Sequence, residues 1–180
     1  MGIPPIVLSE RNLRRACAVT TFVTIGNATQ PFGRLLDAVT AYAKEWPQPV
    51  TVQHGNTPFN SAHCVSRAFL EMSEFSELVE QSRLLIMHAG AGSLLHAIRV
   101  GKVPVVMPRR TKYGEIIDDH QLEFAKALAD MGMVILAEEP RDLPQAVTEA
   151  LSKPTRPKSE IHTPRIVGLV GNVLERYASQ

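Results

Sequence analysis

The chain has 180 residues, 44% hydrophobic and 21% charged, with 11 Gly and 13 Pro. This composition excludes a disordered, collagenous or coiled-coil chain and suits one domain, or one half of a two-domain enzyme, that buries about 70% of its unfolded surface. With 19 basic against 18 acidic residues and a formal net charge of +1, overall charge points to no nucleic-acid partner, so any anion site must come from local geometry. Cys17 and Cys64 have no zinc or redox spacing and read as thiols of a reducing cytoplasm. The run Ile3–Leu8 holds two prolines and is too short for a signal-peptide core, and Ile6 stands where a myristoylation signal wants Ser or Thr. Nothing approaches the roughly 18 apolar residues of a membrane span. The expectation is a cytoplasmic chain that reaches a membrane, if at all, through a partner.

Short β-branched runs alternate with longer amphipathic ones. Val19–Ile25 reads as a buried strand, followed at helical spacing by Phe32, Leu35, Leu36, Val39, Ala43 and Trp46. Val50–Gln53 is a second strand and Val65–Leu70 a third, with a short helix over Glu74–Gln81. Leu84–Met87 is a fourth strand, and Ser93–Val100 a helix closed by Gly101. Val103–Met107 is a fifth strand, Asp118–Met131 a helix, Val134–Leu136 a sixth strand and Asp142–Leu151 a last helix of the domain. The alternation implies parallel strands with right-handed crossovers: an α/β, Rossmann-like doubly wound sheet. Residues 1–18 form an N-terminal extension, 19–151 the domain, 152–164 a linker and 165–180 a C-terminal helix. The helix's stripe Ile166, Leu169, Val170, Val173, Leu174 and Tyr177 covers either the domain's own core or a partner.

Ligands of such sheets bind beyond the carboxyl ends of the strands, where connections diverge to opposite faces. The segment His88-Ala89-Gly90-Ala91-Gly92-Ser93 follows one strand and opens a helix. Its glycines allow a tight turn, and free amides at a helix start favour phosphate. Ser93 can cap the helix or donate to a phosphate oxygen. A plain strand–helix turn packed by His88 is the competing reading. No Gly-Lys-Ser/Thr, complete Gly-x-Gly-x-x-Gly or Gly-x-Ser-x-Gly is present, which excludes a P-loop hydrolase, a dinucleotide fingerprint and a serine-hydrolase elbow.

The second constellation, PRRTKYGEIIDDHQ over Pro108–Gln121, groups Arg109, Arg110 and Lys112 with Glu115, Asp118, Asp119, His120 and Gln121. Carboxylates and amides at a helix start can read sugar hydroxyls. Asp118 or Asp119 can instead be an N-cap, and the basic cluster can be solvated loop or can meet a pyrophosphate or an anionic membrane surface.

Four segments in order, TIGNATQPFGRLL, VQHGN, LLIMHAGAGSLLHAIRVGKVPVVMPRR and YGEIIDDHQLEFAKAL, resemble the C-terminal domain of glycosyltransferase family 28. The likeness covers about Val19–Leu151. It is nearest to the family's stand-alone catalytic subunits of two-part transferases, the dolichyl-pyrophosphate-GlcNAc and exopolysaccharide types. The resemblance implies one half of a GT-B enzyme that binds a UDP-sugar. It places the diphosphate at His88, Ala89, Gly90, Ala91, Gly92 and Ser93, with the turn Gly26, Asn27, Thr29 and Gln30 on the same cleft. It places uracil near Leu70 and the sugar at Gln121, beside Asp119 and His120. His96 stands where related transferases often carry a ribose-binding glutamate, and His120 where larger relatives place an aspartate.

The implied activity is transfer of a hexose or N-acetylhexosamine, GlcNAc for preference, to a lipid-linked acceptor, with inversion. Ser93, His88 and Arg109 are the expected catalytic donors to the leaving diphosphate, with Arg110 alongside for substrate binding. No metal or cofactor is expected. The acceptor site and catalytic base are expected from a membrane-anchored partner, in whose absence the chain forms a homo-oligomer. A non-catalytic nucleotide-sugar-binding scaffold and a Rossmann-type enzyme using another nucleotide are the alternatives.

Overall fold

The computed structural model describes residues 21–153, together with Gly168. The expected N-terminal extension, the linker beyond Lys153 and the C-terminal helix stripe lie outside the described residues. Six parallel strands form one sheet: β1 (Thr21–Thr24), β2 (Val50–Gln53), β3 (Cys64–Arg67), β4 (Leu84–Met87), β5 (Val105–Val106) and β6 (Ile135–Leu136). Their order is β3-β2-β1-β4-β5-β6. The sheet therefore grows outward in both directions from the β1–β4 pair, where Thr24 lies opposite Met87. Crossover helices are α1 (Gly33–Tyr42), α2 (Met72–Gln81), α3 (Ala91–Arg99), α4 (His120–Asp130) and α5 (Leu143–Ser152).

Successive side chains of each strand enter opposite cores, as the two-residue period of a strand requires. Val23, Val52, Leu84, Ile86 and Val105 join Leu35, Val39, Leu143 and Val147 beneath α1 and α5. Phe22, Leu85, Met87 and Val106 join Val79, Leu94, Ile98, Phe124 and Leu128 beneath α2, α3 and α4. Both faces of the sheet are covered, which is why the central strands read as nearly continuous apolar runs.

The element order follows the pattern of the sequence, and the differences lie at boundaries. The third strand occupies Cys64–Arg67 rather than Val65–Leu70, so Leu70 stands in the connection that leaves the sheet. The fifth pairs only over Val105–Val106. The helix following the fourth strand begins at Ala91, two residues before the expected Ser93. The first helix passes into a 3-10 turn at Ala43–Glu45 before Trp46.

Candidate functional site

The turns after β1 and β4 meet at the point where the strand order reverses. There, a cleft of about 170 Å³ is lined by Gly26, Asn27, Gln53, Leu70, Met72, Phe75, His88 and Ser93. This is the position at which doubly wound sheets bind ligands.

His88 organises the floor. The residue is 8% exposed, and its backbone N–H donates to the Thr24 carbonyl at 3.0 Å. The ring lies between two glycines. A Cβ on Gly26 would stand 2.6 Å from His88 Cε1 and Nε2, and a Cβ on Gly90 only 2.2 Å from Nε2. Gly26 also has φ +73, a left-handed conformation that disfavours side chains. Gly90 has φ −73, so its small size is demanded by the imidazole and not by the backbone. Burial lowers the His88 pKa to about 4, and the Arg109 charge pushes the same way. The ring is therefore neutral at physiological pH.

Gly90 is the N-cap of α3, and no side chain caps the helix. The expected capping role of Ser93 is thus corrected: Ser93 is the third residue of the helix and part of the cleft wall. Among the described residues, the amides of Ala91, Gly92 and Ser93 donate to no protein group. A Cβ on Gly92 would meet nothing within 4 Å. Three unspent donors and the positive end of the helix dipole lie together beside the cleft.

The wall opposite is held by side-chain amides. Gly26 N–H donates to Thr24 Oγ1 at 3.2 Å, Thr24 Oγ1 to Gln53 Oε1 at 2.5 Å, and Gln53 Nε2 to Asn27 Oδ1 at 2.9 Å. Asn56 Nδ2 reaches the carbonyls of Asn27 and Ala28. Phe75, a further wall residue, packs edge-on against Phe22 and tilted against the His96 ring, with centroids 5.7 and 6.1 Å away. His96 Nε2 is buried with no partner. Leu70 lines the cleft, while the neighbouring Ala68 carbonyl accepts from Gly55 N–H at 2.9 Å.

Arg109 is placed differently from its expected role as a donor to the diphosphate. It is 1% exposed. Its Nη1 donates to the carbonyls of Gln30 at 2.8 Å and Glu115 at 3.2 Å, and its Nη2 to that of Ile25 at 3.0 Å. The guanidinium also lies over the Phe32 ring at 4.7 Å. It is a strut that ties the turn after β1 to the loop after β5, because buried carbonyls there have no other donor at hand. The basic cluster is likewise neutralised: Arg110 pairs with Glu138, and Lys112 with Glu139. A free cationic patch for pyrophosphate or membrane is therefore not formed by Arg109, Arg110 and Lys112.

Arg34, which the sequence does not single out, is the second strut. It grips Glu115 with two bonds of 3.0 and 2.9 Å and donates to the carbonyls of Pro108 and Glu138 at 2.7 Å each. Glu115, 4% exposed, also accepts from Arg110 N–H at 3.0 Å. Asp119 occupies the N-cap position of α4 yet caps nothing; its Oδ1 accepts from Thr111 N–H at 3.0 Å. That bond holds its carboxyl below the usual range. Asp118 takes the His120 N–H and touches the His120 ring. Gln121 Oε1 accepts from Arg109 N–H at 3.2 Å, which engages that oxygen once. Thr29, Gln30, Arg110, Asp119, His120 and Gln121 stand outside the wall of the cleft, whereas Gln53, Met72 and Phe75 complete it.

Among the described residues there is no group of three or more His, Cys, Asp or Glu that could hold a metal ion. No helix there is long and apolar enough to cross a membrane.

The strand order and a donor-lined cleft at its reversal define a Rossmann-like α/β domain of the kind that forms one half of GT-B glycosyltransferases. Residues 20–168 match the glycosyltransferase family 28 C-terminal domain, and the chain belongs to that family. Among curated proteins it is 42% identical over 50 residues to the UDP-N-acetylglucosamine transferase subunit ALG13 of Yarrowia lipolytica, covering 28% of this chain and 24% of that protein. It is 40% identical over 67 residues to the same subunit from Cryptococcus neoformans, covering 36% and 32%. The matched stretches thus span a third or less of these relatives. The solution structure of ALG13 superposes with a TM-score of 0.58 at 18% identity, covering 86% of this chain and 96% of that one. The glycotransferase of kitacinnamycin gives the same TM-score and identity over 88% of this chain and 40% of its own.

Proposed function

We propose that this chain is the UDP-sugar-binding, catalytic subunit of a two-part glycosyltransferase. It moves a hexose or N-acetylhexosamine, GlcNAc for preference, to a lipid-linked acceptor held by a membrane-anchored partner. The observation that carries the reading is the set of unspent amides at Ala91–Ser93 beside the cleft at the strand-order reversal. Family membership and relatives named as UDP-N-acetylglucosamine transferase subunits support it.

The acceptor hydroxyl attacks the anomeric carbon as the bond to the diphosphate breaks, and negative charge grows on the leaving oxygen. Donors fixed before reaction stabilise that charge more than the ground state. The amides of Ala91–Ser93 and the Ser93 hydroxyl are in place for this. Neutral His88 supports the turn that presents them, and Arg109 acts at a distance by holding the turn after β1. The base that takes the acceptor's proton comes from the partner, with the acceptor site.

A second reading, a binding scaffold without turnover, is favoured by His96, because a single imidazole cannot replace a two-oxygen grip on ribose hydroxyls. Calorimetry with UDP, UDP-GlcNAc and NAD tests the ligand class: the uridine ligands bind and NAD does not. Transfer from UDP-GlcNAc to a polyprenyl-pyrophosphate acceptor in the partner's presence separates catalysis from scaffolding. Binding of NAD in preference to UDP overturns the proposal.

A further inference from the structure

We infer that Gln53 is a positioning residue whose amide fixes Asn27 with its NH2 group offered to the cleft, as a donor to an acceptor-only oxygen of the phosphate class. The inference rests on the nucleotide-binding reading above and adds to it a residue pair and a direction of hydrogen bonding.

The direction follows from the chemistry of each link. A backbone N–H can only donate, so Gly26 N–H occupies a lone pair of Thr24 Oγ1. The Thr24–Gln53 contact of 2.5 Å falls in the O–H···O range and below the roughly 2.7 Å at which N–H···O contacts begin. The atom of Gln53 facing Thr24 is therefore the carbonyl oxygen, and the hydroxyl donates to it. Gln53 Nε2 is then turned to Asn27 and donates to Oδ1 at 2.9 Å. Asn27 Oδ1 thus already accepts one bond, whereas its Nδ2 has no partner among the described residues. Thr24 is fully buried and Gln53 is 4% exposed, so water cannot readily substitute for the link between them. The Asn56 bonds to the Asn27 and Ala28 carbonyls hold the main chain of the turn as the relay holds its side chain.

Asn27 and Ser93 line the same cleft. The Asn27 NH2 and the amides of Ala91–Ser93 are donors without acceptor capacity. A phosphate oxygen can only accept, so it can use each of these donors, and bonds to a charged oxygen are the stronger ones. The wall opposite the helix start is thus matched to phosphate.

The test uses the full chain, UDP and uridine as probes, and the variants N27A, Q53L and the double variant. Calorimetry is expected to show N27A binding UDP about tenfold more weakly, the loss of one hydrogen bond to a charged group. Q53L should lose a comparable amount, and the double variant no more than N27A alone, because Gln53 acts through Asn27. Uridine affinity should stay unchanged in all three. Losses that add in the double variant, or a Q53L affinity equal to wild type, overturn the inference. Because Q53L removes a buried polar group, a second measurement uses the unsubstituted, ligand-free chain. Hydrogen exchange of the side-chain amides should be slow at Gln53 Nε2 and fast at Asn27 Nδ2; the reverse order overturns the relay. A wild type that binds no UDP overturns the nucleotide reading together with the phosphate assignment, whereas binding that is blind to Q53L overturns the relay alone.

Discussion

Gly90→Ala adds one methyl group at a backbone geometry that alanine adopts without strain, φ −73 and ψ 122. The cost is therefore steric. The new Cβ would stand 2.2 Å from His88 Nε2 and 3.0 Å from Cδ2 and Cε1, against ordinary contacts of 3.4 Å or more. The imidazole has no retreat, since Gly26 closes its other side. Overpacking of this kind costs about 1–3 kcal/mol, and a ring confined on both faces belongs at the upper end, about 2–3 kcal/mol. A cycle with His88→Ala isolates the cause: in that background G90A should cost less than about 0.5 kcal/mol, giving a coupling of about 2 kcal/mol. Gly26→Ala is the control. Its φ of +73 should leave roughly 1–2 kcal/mol of backbone penalty even after His88 is truncated. Urea unfolding of the single and double variants supplies all the free energies. Equal G90A losses with and without the His88 ring would show that the imidazole is not the cause.

Arg109→Leu strands the carbonyls of Ile25, Gln30 and Glu115 and should destabilise the chain by about 3–5 kcal/mol; R109K should recover only part, because an ammonium cannot span these acceptors. Urea midpoints check both. His88, lowered to about 4 from 6.5, stays neutral in the folded state while the unfolded chain takes up a proton. Its contribution is thus full above pH 6.5, falls as pH drops toward 4 and is constant below, a loss of about 3 kcal/mol. The wild type should lose that much more stability than H88Q between pH 7 and 4 in matched urea titrations, and equal losses contradict the assignment. Ser93→Ala should lower turnover with the partner by about 10²–10³, since one charge-stabilising donor is worth about 3–4 kcal/mol of barrier; unchanged turnover removes Ser93 from the site.

The doubly wound sheet was legible because both faces are covered, and LLIM at Leu84–Met87 carries the resulting apolar run. The turn at His88–Ser93 was legible because a histidine and two glycines between a strand and a helix have few structural uses. The third strand was displaced: Val65, half exposed, pairs with Thr51, whereas Phe69, exposed to a similar degree, lies beyond the strand's end at Arg67, so hydrophobicity there does not mark where pairing stops. Arg109 was read from its charge as a ligand donor, yet its partners are carbonyls, three of them from the distant segment Ile25–Pro31. Arg34 and Gln53 escaped notice for a related reason. Each lies inside a regular element, and its partners are brought near only by the crossovers. One signal for Gln53 was available, a glutamine ending the buried strand VTVQ beside the point where the sheet reverses direction.

On the function proposed, the helix start after β4 holds the diphosphate of a uridine nucleotide. A crystal structure of the full chain with UDP tests it most directly. Phosphate oxygens are expected within hydrogen-bond distance of the Ala91–Ser93 amides and the Asn27 side chain. A nucleotide seated instead in the hollow between Tyr113 and Pro140–Arg141, with those amides untouched, would contradict it.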